Sequence, residues 1–223
     1  MISKYKLPGS PLISIGVTGH RAHRLNPNIE SKFSIFISQI LDIVLKKLST
    51  SCFNAVHTQD NPQICMVSAL AEGADRIFAR EALKNKLNLC CVLPFNRNEY
   101  KKDFQDQTSL DEYAKLLSEA SSVIELDYPR SGIQGYQAVG RKIVDMCDLM
   151  IALWDGEPAR GPGGTAHVVE MTLTASKPVL WFPLVQERGS RFLMPGHNSK
   201  EMPLEASQEG WENSLEEWLM IQE

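Results

Sequence analysis

The sequence predicts an α/β protein with a Rossmann-like, doubly wound fold, in which a mostly parallel sheet of about six strands carries helices on both faces. Short apolar runs alternate along the chain with segments of helical periodicity. These apolar runs are nearly continuous, as expected of strands that are buried on both faces. Polar clusters directly follow four of the runs, and in a parallel sheet such clusters meet at one edge. Together these observations favour the doubly wound arrangement.

The individual elements follow from local patterns taken in chain order. Residues 29–48 form an amphipathic helix, because their apolar side chains recur at helical spacing. Pro94 ends the third strand, since proline cannot donate to a β-ladder. Residues 49–61 are polar and irregular, which is typical of a surface loop with or without a short edge strand. The six strands are predicted at residues 13–18, 64–70, 89–93, 123–126, 149–153 and 178–182, and the remaining helices end near residues 87, 120, 147 and 175.

The chain divides into a single α/β domain over residues 1–185 and a tail over residues 186–223. The tail begins as a polar loop and ends in an acidic helix with a small apolar stripe, formed by Trp211, Leu215, Trp218, Leu219 and Ile221. Such a stripe predicts a helix docked on the domain's own sheet. The alternatives are a docking surface or a linker to a downstream effector module.

Composition excludes several classes of function. Residues 1–199 carry 20 acidic and 22 basic side chains, and this balance argues against a broad basic face for duplex nucleic acid. Five cysteines without a C-x-x-C pair predict free thiols in a reducing cytoplasm. No apolar run reaches the ~18 residues that membrane insertion needs. His20 and His23 lack a third ligand nearby in the sequence, so we expect no metal site.

A glycine-rich turn is the most informative motif. A strand at residues 149–153 is followed by a polar loop, and Gly163, Gly164 and Thr165 then open a helix. Unpaired backbone N–H groups and the positive end of the helix dipole would meet there, with no Cβ to block a phosphate. A plain left-handed glycine turn is the alternative interpretation.

The cluster Gly19, His20 and Arg21 follows the first strand. Neither the G-x-G-x-x-G fingerprint of dinucleotide-binding proteins nor a P-loop lysine motif is present, so conventional versions of both sites are disfavoured. Arg21 is suited to bind a phosphate or carboxylate, and Gly19 would allow a close approach. Alternatively, His20 and Arg21 hold their own loop in place.

Three further clusters carry candidate ligand-binding residues. Glu72 and Asp75 either take ribose hydroxyls or stabilise a helix start, and Trp154 either stacks on a base or plugs the core. Arg97 and Tyr100 belong either to a lid or to a solvated loop. The full set of candidates in these clusters is Ser68, Glu72, Gly73, Asp75, Arg76, Arg97, Tyr100, Trp154 and Asp155.

Five segments together resemble the SLOG superfamily, which is named after the SMF/DprA DNA-processing proteins and the LOG phosphoribohydrolases. They are GVTGHR at 16–21, SALAEGADR at 68–76, VLPFNRNEY at 92–100, VGRKIVDMCDLMIALWDG at 139–156 and GPGGTAHVVE at 161–170. The resemblance spans residues 12–183. It implies a Rossmann-like domain that senses a nucleotide or NAD-derived molecule through the GGT turn, in a defence or signalling role. It also implies self-association into a homo-oligomer.

The LOG enzymes have a pattern that the chain does not reproduce. Their P-G-G-x-G-T-x-x-E motif carries an acid three positions after the threonine, where this chain has Val168. Glu170 lies two positions later, and that offset rotates a helical side chain by about 200°.

We therefore expect a cytoplasmic ligand-binding module without a resident cofactor. The alternative is a nucleotide N-glycosidase with Glu72 and Arg141 as catalytic residues, although Arg141 also has Asp145 as an ion-pair candidate one turn later. DNA binding like that of the DNA-processing relatives is disfavoured by the near-neutral charge.

Overall fold

The computed structural model describes residues 12–50, 64–159, 161–195 and 210–221. These ranges contain seven strands: β1 (Ile13–Gly19), β2 (Ile64–Ser68), β3 (Asn88–Leu93), β4 (Ser122–Glu125), β5 (Leu149–Trp154), β6 (Val179–Pro183) and β7 (Arg191–Leu193). They also contain the helices α1 (Pro27–Thr50), α2 (Ala74–Lys84), α3 (Arg97–Tyr100), α4 (Gln107–Glu119), α5 (Gln134–Met146), α6 (Thr165–Thr174) and α7 (Trp211–Ile221). The predicted strand–helix alternation is confirmed. Most of the predicted loop at residues 49–61 lies outside the described residues.

The sheet has the order β4-β3-β2-β1-β5-β6-β7. All neighbouring strands run parallel except β6 and β7, which are antiparallel. Chain order therefore reverses between β1 and β5, whose last paired residues are Gly19 and Leu153. Ligands of doubly wound proteins bind beyond the carboxyl ends of strands at such a reversal. The topology alone thus marks the place to look for a site.

Helices cover both faces of the sheet, as the sequence predicts. Side chains alternate along β5, so that Leu149, Ile151 and Leu153 face one core while Met150, Ala152 and Trp154 face the other. The first core is closed by α1, α2, α4 and α7, and the second by α5 and α6. The central strands are thus buried from two sides, which explains their continuous apolar runs, whereas the edge strand β4 is only half-buried.

The sheet extends one strand further than the sequence predicts. Residues 191–193 pair with β6 as an antiparallel edge strand, although they fall in a stretch predicted as loop. Three residues are too few to show a periodic pattern. The guanidinium of Arg191 lies 5.5 Å from the centre of the Trp181 ring, which gives this polar residue a packed position in a strand.

The C-terminal helix α7 packs on the domain that precedes it. Its Trp211 ring lies 4.8 Å from that of Phe36 in α1, and its Trp218 ring lies 6.3 Å from that of Phe192 in β7. Trp211, Leu215, Trp218 and Leu219 are all buried. Four of the five residues in the predicted apolar stripe therefore form the packing face of this helix, whereas Ile221 is exposed.

The cysteines of the described residues are free thiols. Cys90, Cys91 and Cys147 are buried, and Cys65 is half-buried. Burial raises the pKa of both Cys91 and Cys147 to about 12.

Within the described ranges no helix is long and apolar enough to cross a membrane.

Candidate functional site

A cleft of about 350 Å³ opens at the carboxyl ends of β1 and β5. It lies where the chain order reverses, with the first turn of α6 on one side and the segments after β1 and β2 on the other. Ten of the residues predicted to bind a ligand line it: Gly19, His20, Arg21, Asp75, Tyr100, Trp154, Asp155, Gly163, Gly164 and Thr165. Residues from five separate sequence clusters therefore meet in one cavity.

The glycine-rich turn presents backbone N–H groups to this cleft. Gly163 has φ +84°, a left-handed conformation that favours glycine, and the turn leads directly into α6. The amides of Gly164, Thr165 and Ala166 have no hydrogen-bond acceptor among the described residues. The amide of Gly163 is already engaged, because it donates to Nδ1 of His167 at 3.0 Å. The unbonded amides of the turn are thus the next three, and His167 holds the turn in place.

Among the described residues that line the cleft, Arg21 is an arginine without a carboxylate partner. Its half-buried side chain lines the cavity, and no described carboxylate forms an ion pair with it. Burial raises the pKa of Asp75 to about 6, and the charge of Arg21 acts on this carboxyl in the opposite direction. Burial raises the pKa of Tyr100 and Tyr136, and the positive charge of Arg21 acts to lower both values. Its charge is therefore felt by three side chains that line the cleft.

A second charged group joins the end of β1 to the end of β5. The carboxylate of Asp155 lies 2.9 Å from Nη2 of Arg24 and 3.3 Å from Nε2 of His20. Burial alone would raise the pKa of Asp155, but the Glu157 amide, His20 and Arg24 outweigh it and the pKa is lowered. His20 thus helps to hold the loop after β1 in place, which is one of the two roles that the sequence analysis considered for it. Arg24, which the sequence patterns did not single out, completes the contact.

Arg76 holds the protein together and does not reach the cleft. The residue is 2% exposed, and its guanidinium donates to the Leu70 carbonyl at 3.2 Å and to the Ser109 carbonyl at 2.8 Å. It also pairs with Glu112 at 3.1 Å and lies 4.4 Å from the centre of the Phe104 ring. The prediction that Arg76 contacts ligand does not match this position, because the side chain points into the core between α2 and α4.

Five other predicted residues also lie outside the cleft lining, namely Gly73, which is described below, and four residues with larger side chains. Ser68 is fully buried and donates to the Asp75 carbonyl at 3.1 Å, while Glu72 accepts a hydrogen bond from Ser109. Arg97 pairs with Glu125 beside β4, and Arg141 is exposed on α5. The first three side chains satisfy local contacts and Arg141 is exposed, so sequence proximity to a cluster does not make these residues part of the cavity.

Gly73 contributes through close packing rather than through a ligand contact. It has φ +94°, and a Cβ added to it would lie 2.4 Å from the His20 carbonyl oxygen. Only glycine therefore lets the start of α2 approach the loop after β1 this closely. Gly19 meets α2 in a similar way, since an added Cβ would lie 2.3 Å from Cβ of Ala74.

Trp154 is a core plug and not a stacking platform. Its side chain is 1% exposed, its ring lies 5.6 Å from that of Trp181, and Nε1 donates to the Glu157 carbonyl at 3.0 Å. With both faces enclosed, the indole has no room for a base. The sequence left two interpretations of Trp154 open, and its burial in the structure agrees with the core plug.

Among the described residues, no group of three or more His, Cys, Asp or Glu side chains could hold a metal ion.

Comparison with solved structures identifies proteins of the same fold. DNA processing protein A of Helicobacter pylori is 16% identical with a TM-score of 0.54, and the match covers 95% of this chain and 82% of that one. The chain shares the Rossmann-like fold of this DNA processing protein. The resemblance that the sequence motifs indicate is thereby confirmed at the level of fold.

Two further solved structures match with lower TM-scores. DNA processing protein A of Streptococcus pneumoniae is 15% identical with a TM-score of 0.49, over 78% of this chain and 52% of that one. The molybdenum cofactor carrier protein of Chlamydomonas reinhardtii is 16% identical with a TM-score of 0.40, over 76% and 75%. The chain spans about half the length of the Streptococcus pneumoniae protein. No protein-family model and no curated protein sequence matches the chain.

Proposed function

We propose that this chain is a binding domain for a nucleotide-type small molecule, with a phosphate group held at the start of α6. The observation that carries the proposal is the pairing of three unbonded amides, at Gly164, Thr165 and Ala166, with Arg21 in one open cleft. Backbone N–H groups at a helix start and an arginine are the donors that proteins use for phosphate.

The rest of the cleft suits the neutral parts of a nucleotide. Its volume of about 350 Å³ falls within the range of small-molecule sites. Val17, Val139 and Ile143 add apolar lining on which a base can pack. The site lies at the strand-order reversal where doubly wound proteins bind such ligands.

We propose binding rather than hydrolysis by Glu72. The N-glycosidase alternative needs a carboxylate beside the departing ribose. Glu72 lies outside the cleft lining and is engaged with Ser109, and Arg141 is also outside it.

We also propose, on the basis of the family resemblance, that the domain has a sensing role in defence or signalling and that it self-associates. The Helicobacter pylori relative is described for its binding of single-stranded DNA, and oligonucleotides therefore belong in the binding panel.

Replacing Arg21 by alanine should weaken nucleotide binding by about 10- to 100-fold, since a charge-assisted hydrogen bond to phosphate contributes roughly 1.5–3 kcal/mol. Isothermal titration calorimetry with the four nucleoside 5′-monophosphates, ADP-ribose, NAD and a short oligothymidylate measures the effect. Adenosine, which lacks the phosphate, should bind at least about 10-fold more weakly than AMP if AMP is the form bound.

Arg97→Ala is the matched control, because it removes the same charge from a residue that pairs with Glu125 outside the cleft. This variant should keep the wild-type affinity. Equal losses in the Arg21 and Arg97 variants would show that only general charge attraction is involved. Absence of binding to every phosphorylated probe would contradict the proposed function. Chromatography of the same mixtures reports any release of free base.

A further inference from the structure

The cleft has a second polar end, formed by Asp75 and Tyr100. The turn before α6 packs with the α5–α6 face of the sheet, whereas Asp75 begins α2 on the opposite face. Tyr100 ends α3, which follows β3. In the sheet order, β2 is two strand positions from β5, or roughly 10 Å at the usual spacing. A ligand with its phosphate on α6 therefore has room to extend towards these two side chains.

The Asp75 carboxylate is buried and still open to the cleft. The residue is 7% exposed and lines the cavity, and its Oδ2 accepts from the Ala71 amide at 3.3 Å. A carboxylate offers about four lone-pair positions, so acceptor capacity remains for a ligand. Burial raises its pKa to about 6, which leaves the group mostly ionised at pH 7.5 and able to accept hydrogen bonds.

The Tyr100 hydroxyl is a second buried polar group in the same wall. The residue is 1% exposed, and its ring is fixed by edge contacts with Phe95, Phe104 and Tyr113 at 5.2–6.1 Å between centres. No described residue hydrogen-bonds to its hydroxyl, and the side chain lines the cleft. Because a phenol both donates and accepts, it can bind a hydroxyl group beside the carboxylate.

We propose that Asp75 and Tyr100 bind the ribose hydroxyls of the ligand, so that the cleft selects ribonucleotides over deoxyribonucleotides. This inference rests on the proposed function. A neutral diol supplies the donors that a carboxylate needs, whereas a second phosphate at that position would meet a like charge. A site whose buried polar groups pair with a hydroxyl discriminates strongly against the analogue that lacks it, because those groups are then left unpaired. The selectivity also distinguishes a mononucleotide or ADP-ribose type of ligand from single-stranded DNA.

The test compares matched ribo- and 2′-deoxyribonucleoside 5′-monophosphates of all four bases by isothermal titration calorimetry. Wild-type protein should bind the preferred ribonucleotide at least about 10-fold more tightly than its deoxy form. Asp75→Asn should reduce this ratio to less than about 3-fold by losing affinity for the ribonucleotide, and Tyr100→Phe should lower the ratio in the same direction.

Asp111→Asn is the matched control, since Asp111 hydrogen-bonds to Gln107 on the exposed side of α4 and does not line the cleft. It should leave both affinities and their ratio unchanged. Circular dichroism and thermal unfolding establish that each variant is folded. Equal binding of the ribo and deoxy forms by wild-type protein, or an undiminished ratio in Asp75→Asn, would overturn this inference while leaving the proposed function standing. No binding of any nucleotide would overturn the proposed function itself and, with it, this inference.

Discussion

Replacing Arg76 by methionine is expected to lower the free energy of unfolding by roughly 3–5 kcal/mol, because buried carbonyl oxygens lose their hydrogen-bond donor. Methionine fills much of the same volume but cannot donate to the carbonyls of Leu70 and Ser109, which Arg76 bonds at 3.2 and 2.8 Å. The cation–π contact with Phe104 is lost as well. Urea denaturation followed by circular dichroism measures the change.

Arg80→Met provides the matched control on the same helix. Arg80 also pairs with Glu112, but its side chain is 47% exposed. Exposed ion pairs contribute about 0–1 kcal/mol, so this variant should unfold at nearly the wild-type denaturant concentration. A loss of less than about 1 kcal/mol in Arg76→Met would contradict a structural role for Arg76 and reopen the idea that it serves the ligand.

Asp75→Asn is expected to change how stability depends on pH. The pKa of Asp75 is raised from 3.8 to about 6 by burial, so the folded chain binds this proton more tightly than the unfolded chain. The contribution of Asp75 to the free energy of unfolding is therefore fully present below pH 3.8 and is lost as the pH rises through about 6. Over that interval the loss amounts to about 3 kcal/mol, at 1.36 kcal/mol per pKa unit. The asparagine variant should not show it.

Measuring unfolding by urea at pH 4 and pH 7 tests this sign. Relative to wild type, Asp75→Asn should become more stable as the pH rises, although it binds ribonucleotides less well. Asp155→Asn should behave in the opposite way but at lower pH, because the pKa of Asp155 is lowered from 3.8. The stability that Asp155 adds is present above pH 3.8 and is lost as the pH falls through the folded-state pKa, so this variant is compared with wild type at pH 7 and at about pH 2. Parallel pH profiles for Asp75→Asn and wild type would contradict the burial-raised pKa.

The fold could be predicted from the sequence because its signal is spread over many residues. A continuous apolar strand such as 149–153 and an amphipathic helix such as 29–48 each repeat their pattern several times. The bounds observed for β5 and α1 differ from those predictions by at most two residues at either end. β7 and α3 have only three and four residues, and so they carry no comparable pattern.

The candidate site was only partly predictable, because neighbouring residues on a helix point in different directions. Asp75 and Arg76 are adjacent, yet a step of about 100° places one at the cleft and the other in the core between α2 and α4. His167 supports the glycine turn through a contact four residues away, and Arg24 meets Asp155 across the sheet edge. The Arg24–Asp155 pair depends on the tertiary arrangement, and the local Gly163–His167 contact has no distinct pattern in the sequence.

The packing of α7 on α1 limits how the protein can be dissected. A fragment ending at residue 185 would lack both β7 and α7 and would uncover the aromatic surface around Phe36 and Phe182, whose rings lie 5.1 Å apart. Newly exposed apolar surface of this kind promotes aggregation. Expression trials should therefore retain the chain through at least residue 221. If a shorter fragment is insoluble, the cause would be the exposed apolar surface and not a defect in the nucleotide cleft.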